Sequence, residues 1–140
     1  MKTAVVYYSK TGHSKKIANA IAASFGIQAL DLKTSPTLDA VDLLYVVGGI
    51  YAGGNDPKML KAIEKMDRSQ VKKAVLITSC ASRQMKQDKV RQTLQQKGIT
   101  VVADEYICQG SFLFMGKGHP DQAEVDQAVS FAQKMAVQAD

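Results

Sequence analysis

The sequence predicts an α/β fold, a doubly wound parallel sheet with helices on both faces. Three observations carry that prediction. Short apolar runs take turns with segments whose apolar residues recur at helical spacing. Within each run the apolar residues are continuous, as in strands buried on both faces. The connections are short, which suits parallel strands joined by right-handed crossovers.

Thr3–Tyr8 reads as the first strand. From Gly12 to Phe25, Ile17, Ile21 and Phe25 fall on one helical stripe with Ala18 and Ala22, and Gly26 supplies the stop. Ile27–Leu32 reads as the second strand, and Thr34–Thr37 as a loop leading into one helical turn. Leu43–Val47 is the third strand and runs into a loop from Gly48 to Asn55. Asp56 and Pro57 read as N-cap and first position of a helix that turns Leu60 and Ile63 inward. Ala74–Thr78 is the fourth strand, ending in a loop from Ser79 to Ser82. A polar helix with Val90 and Leu94 on one face follows, stopped by Gly98. Thr100–Ile107 is the fifth strand. Gln122–Ala139 is the last helix, with Val125, Val129, Ala132 and Met135 in register. Without repeats, low-complexity tracts or linkers, residues 1–140 read as a single domain.

Composition excludes several classes. Apolar content of 46% and charged content of 22% fit an ordinary globular chain with one core. No signal-like or membrane-length apolar run is present, so no membrane role is expected. Cys80 and Cys108 have neither metal-ligand nor CxxC spacing, which points to a reducing, cytoplasmic setting. The net charge of +5 comes without aromatic–basic interleaving or a nucleic-acid motif, so no nucleic-acid partner is expected.

Ligands of doubly wound sheets bind outside the carboxyl ends of the strands. The first of those ends is the most informative. Ser9, Thr11 and Ser14 place three hydroxyls beside the free N–H groups and positive dipole end of a helix, and Gly12 permits close backbone approach. Such a turn can hold a phosphate with neither metal nor cation. Lys15 and Lys16 are expected on the solvated helix face. A P-loop lacks its upstream glycine here, and a dinucleotide fingerprint lacks all glycines but Gly12. A receiver domain lacks its acidic residues after strand one and its aspartate at the end of strand three. A hydroxyl N-cap on an ordinary helix accounts for one of the three hydroxyls.

Ser9-Lys10-Thr11-Gly12-His13-Ser14 resembles the phosphate loop of the flavodoxin family, and the resemblance extends along the whole chain. It covers the five strands, a glycine-bearing loop with an aromatic after strand three and a polar loop after strand four. Gly110–Pro120 looks like a tail of small bacterial members, and an uninterrupted fifth strand looks like the short-chain type. The resemblance implies strand order 2-1-3-4-5 and a non-covalent FMN. Ser9, Thr11, Gly12 and Ser14, with the amides of Lys10 and His13, would hold its phosphate. His13 also reads simply as an exposed residue of the capping turn. The ring would lie between Gly49, Ile50, Tyr51, Ala52, Gly53 and Gly54 on one side and Ser79, Cys80 and Ala81 on the other. Tyr51 would stack on the flavin or, alternatively, cover the sheet edge. Gly53 and Gly54 would let a peptide between Ala52 and Asn55 turn its carbonyl toward a protonated flavin N5. Ser79, Cys80 and Ala81 would offer amides to the pyrimidine edge, with Cys80 a small hydrophobe.

The implied function is transfer of single electrons between redox partner proteins, a reductase and an acceptor. The alternative is an FMN-dependent NAD(P)H:quinone or flavin reductase. That activity calls for longer loops and a nicotinamide site, which this chain does not display. A binding module without redox work is a third class, against which the hydroxyl loop argues. In charge the chain departs from the acidic habit of the family. Lys10, Lys15, Lys16, Lys58, Arg83, Lys86 and Lys117 outnumber Asp56 and Asp88 around the site loops. One charge at ~10 Å contributes about 0.4–1.7 kcal/mol, or roughly 20–70 mV for a one-electron couple. A less negative second potential and partners with acidic docking surfaces are therefore expected.

Overall fold

A computed structural model describes residues 1–10, 12–50, 56–80, 87–109 and 122–139. The elements are β1 (Thr3–Tyr8), α1 (His13–Ser24), β2 (Leu30–Asp31), a 3-10 turn (Leu32–Thr34), β3 (Val41–Ile50), α2 (Pro57–Glu64), β4 (Val71–Cys80), α3 (Asp88–Gln96), β5 (Thr100–Val101), β6 (Tyr106–Gln109) and α4 (Gln122–Ala139). All strand pairs are parallel, in the order β2-β1-β3-β4-β5, with β6 also on β4.

The continuous apolar runs have the expected cause. Val5, Tyr7, Leu43, Tyr45 and Val47 face a core shared with α1 and α4, where Ile17, Ile21, Ala128 and Ala132 are buried. Their neighbours Val6, Tyr8, Leu44 and Val46 face the other core, with Met59, Ile63, Val90 and Leu94 from α2 and α3. A strand between two helix layers buries both faces, each large apolar side chain contributing about 1.5–3 kcal/mol. Gly26 and Gly98 close α1 and α3 through paired bonds, Gly26 N to Ala23 O and Ile27 N to Ala22 O, and Gly98 N to Gln95 O and Ile99 N to Leu94 O.

Several boundaries differ from expectation. β2 is two residues long, because Ile27 is still closing α1 and Asp31 accepts from Lys33 N at 2.9 Å to start the 3-10 turn. The connection from β2 to β3 therefore carries a 3-10 turn and no α-helix, so strand and helix do not alternate there. β3 and β4 run further than read. Gly48, Gly49 and Ile50 pair with Thr78, Ser79 and Cys80, so these residues are ladder and not loop. In α2 the buried pair is Met59 and Ile63, with Leu60 half-buried.

The fifth strand is not continuous. Ala74 pairs with Val101, but Ile77, three residues on, pairs with Tyr106, five residues on. Two extra residues bulge out between them. Arg91 occupies the gap, donating Nη1 to Val102 O at 3.0 Å and Nη2 to Glu105 Oε1 at 3.1 Å. The bulge exists where a charged pair, Asp104 and Glu105, interrupts the apolar run.

Candidate functional site

At the carboxyl end of β1 the chain turns sharply into α1. Gly12 is the N-cap, with φ 90°, a left-handed conformation that L side chains resist. Ser9 Oγ accepts from Gly12 N at 2.9 Å, which tightens the turn and leaves the hydroxyl proton free to donate outward. Lys16 N bonds Gly12 O at 3.0 Å, the first helical bond, so the amides of His13, Ser14 and Lys15 precede the ladder. A Cβ built on Gly12 meets nothing within 4 Å.

Ser14 is the informative residue. It is 1% exposed, and among the described residues its Oγ is a buried side-chain oxygen with no hydrogen-bond partner. An orphaned buried hydroxyl costs about 1–3 kcal/mol. Such a group beside unused amides and a helix dipole fits an anion with several acceptor oxygens. The residues present thus match a phosphate group in donor type.

The turn is fastened to two neighbours. Lys33 donates Nζ to Ser9 O at 2.9 Å and lies 5.1 Å above the Tyr8 ring. Lys10 Nζ pairs with Asp56 Oδ2 at 3.0 Å. Asp56 also accepts from Lys58 N, as its N-cap reading required. The Lys58 amide first, and then Lys10, hold the Asp56 carboxyl below the usual carboxylate range. Burial, assisted by Asp31, pushes the Tyr7 phenol up.

The ends of β3 and β4 are braced from beneath. Gly48 is buried, and a Cβ there would stand 2.6 Å from Met59 Cε and 2.8 Å from Gln87 Oε1. Gln87, fully buried, donates Nε2 to Ile77 O at 2.9 Å. The Glu105 carboxylate, 1% exposed, accepts from Thr78 Oγ1, Gln87 N and Arg91 Nη2. One carboxylate therefore holds Thr78, near the end of β4, and Gln87, just before α3.

Of the predicted residues, Ser9, Lys10, Gly12, His13 and Ser14 lie together at the β1–α1 turn. Gly49 and Ile50 end β3, beside Ser79 and Cys80 at the end of β4. β6 flanks Ser79 and Cys80 on their other side, so their backbones run within a three-strand ladder. Thr11, Tyr51, Ala52, Gly53, Gly54 and Ala81 lie outside the described residues, as do Arg83, Lys86, Lys117 and Gly110–Pro120. Lys15, Lys16 and Lys58 are exposed. Lys33 and the Gln87–Arg91–Glu105 cluster were not anticipated. An acidic pair inside an apolar strand was the available signal for the cluster, whereas nothing local marks Lys33. Among the described residues no group of His, Cys, Asp and Glu is placed to hold a metal, and no helix is long and apolar enough to cross a membrane.

Known proteins agree with this architecture. The chain is 24% identical over 147 residues to an uncharacterized protein of Methanocaldococcus jannaschii, covering 94% of this chain and 97% of that one. Its fold superposes on oxidised Flavodoxin 2 from Bacillus cereus with a TM-score of 0.69 at 15% identity, covering 99% of each chain. It also superposes on rubredoxin oxygen:oxidoreductase from the anaerobe Desulfovibrio gigas with a TM-score of 0.71 at 17% identity. There it covers 99% of this chain but spans only 36% of the larger protein. The profile of the Flavodoxin domain matches residues 4–116, and this chain belongs to that family.

Proposed function

We propose that the protein binds FMN non-covalently and carries single electrons between redox partner proteins. The observation that carries this reading is the buried, unpartnered Ser14 hydroxyl at the mouth of the β1–α1 turn. Ser9, Thr11 and Ser14 would donate hydroxyls to the phosphate, with first-turn amides completing the cradle. Tyr51 would stack on the ring, Gly53 and Gly54 would let the backbone turn toward N5, and Ala81 with the ends of β3 and β4 would meet the pyrimidine edge. Bound flavin supplies reversible one- and two-electron chemistry; the chain supplies binding, orientation and charge.

Purified protein titrated with FMN and with riboflavin tests the cradle, because only FMN carries the phosphate. Visible spectra during stepwise anaerobic reduction test one-electron behaviour. Rapid NAD(P)H oxidation by the isolated holoprotein would assign it instead to the reductases.

A further inference from the structure

We infer that the groove between the 3-10 turn and α2 is the docking surface for an acidic face of the redox partner. This assignment rests on the carrier reading and adds the location and chemistry of the contact. The groove holds about 520 Å³ and is lined by Tyr8, Leu32, Lys33, Ser35, Lys58, Lys61, Ala62 and Lys65. Four of those are lysines, and no carboxylate lines it among the described residues. The groove lies where the β2–β3 connection, a 3-10 turn and no α-helix, runs beside α2.

The lysines form one array. Lys58, Lys61 and Lys65 stand three and four positions apart, on one face of α2 and its cap, and all are exposed. Like charges at those spacings repel one another and weaken the helix. Glu64, the acid at the end of α2, does not line the groove. Lys33 is held in place by Ser9 O and the Tyr8 ring. Lys10, by contrast, is paired with Asp56 and adds little net charge.

An extended acidic surface fits better than a discrete small anion. The three α2 lysines spread over roughly 10 Å of helix, and each is a flexible point charge rather than part of a fixed fork. Such an array steers an oppositely charged face during encounter. Tyr8 closes one end of the groove and adjoins Ser9, so a protein seated there sits beside the phosphate turn.

The test uses the full chain, with cytochrome b5 as an acidic haem protein and amide NMR shifts as the readout, at low ionic strength. Shifts are expected at residues 32–38 and 58–65. Lys61→Glu with Lys65→Glu should weaken association about tenfold or more. The control pair Arg68→Glu with Lys72→Glu, which lines a separate groove with Asp42, Lys73 and Thr100, should change it little. If the glutamate pair fails to fold, Lys61→Gln with Lys65→Gln replaces it, with a smaller loss in the same direction. Four outcomes overturn the assignment: shifts centred on Arg68 and Lys72, equal losses in both pairs, no association at low salt, or saturation by pyrophosphate alone with no response to cytochrome b5. Electron transfer from reduced holoprotein is measured separately. Binding at the groove without transfer would sink the carrier reading, and with it the redox role of the partner, while the groove would stand only as a docking site for an acidic protein face.

Discussion

Lys10 Nζ lies 3.0 Å from Asp56 Oδ2, which ties the turn after β1 to the first turn of α2. The other oxygen of Asp56 caps that helix through Lys58 N at 2.8 Å. One carboxylate thus serves a helix end and a site loop together. Asp56→Ala should cost about 1 kcal/mol through the lost cap and about 1 kcal/mol or less through the ion pair, whose lysine is exposed. Urea unfolding at neutral pH checks the sum. Because the Lys58 amide and then Lys10 lower the folded-state pKa, the contribution is fully present above the unfolded value near 3.9. It is lost as pH falls through the lower folded value, so wild type and variant should converge in acid.

Ser14→Ala is expected to have opposite effects on the empty and loaded protein. Its Oγ is buried without a partner, so removing it should leave unliganded stability unchanged or raise it by up to about 1 kcal/mol. FMN affinity should fall roughly tenfold, about 1.4 kcal/mol, while riboflavin affinity changes little. Thermal melts of the apoprotein and flavin fluorescence titrations check the two signs. Equal losses for FMN and riboflavin would remove Ser14 from the phosphate cradle.

Glu105→Ala should be among the most damaging single changes. It leaves Arg91 with only its bond to Val102 O and leaves Thr78 Oγ1 and Gln87 N short of a partner in a buried setting. Breaking one side of a buried ion pair costs about 3–5 kcal/mol. Replacing both partners, Arg91→Met with Glu105→Met, should cost less than Glu105→Ala alone. Denaturant midpoints of the two variants compare them directly.

Gly48→Ala should destabilise by about 1–3 kcal/mol, because its methyl would meet Met59 and the bonded head of Gln87. Met59→Ala vacates part of that space. The double variant should therefore cost less than the sum of the singles, by about 0.5–3 kcal/mol of coupling. A strictly additive result would mean that Gln87, and not Met59, sets the limit.

The sequence alone determined the elements whose cause is local. The first strand, the stripe of α1, Asp56-Pro57 opening α2 and the glycines closing α1 and α3 depend on neighbours within a few positions, and they stand where they were read. The hydroxyls of the β1–α1 turn were legible for the same reason. Tertiary structure decided the rest. How far β3 and β4 extend depends on which residues meet across the ladder, and Gly48 lies in a strand because Thr78 pairs with it. The break in the fifth strand depends on Arg91 reaching from α3 to Val102 and Glu105. Lys33 joins the site across 24 residues, because β2 lies beside β1 and brings the 3-10 turn to Ser9. Local propensity carries no record of partners so distant in sequence; burial and pairing supply them only once the sheet is assembled.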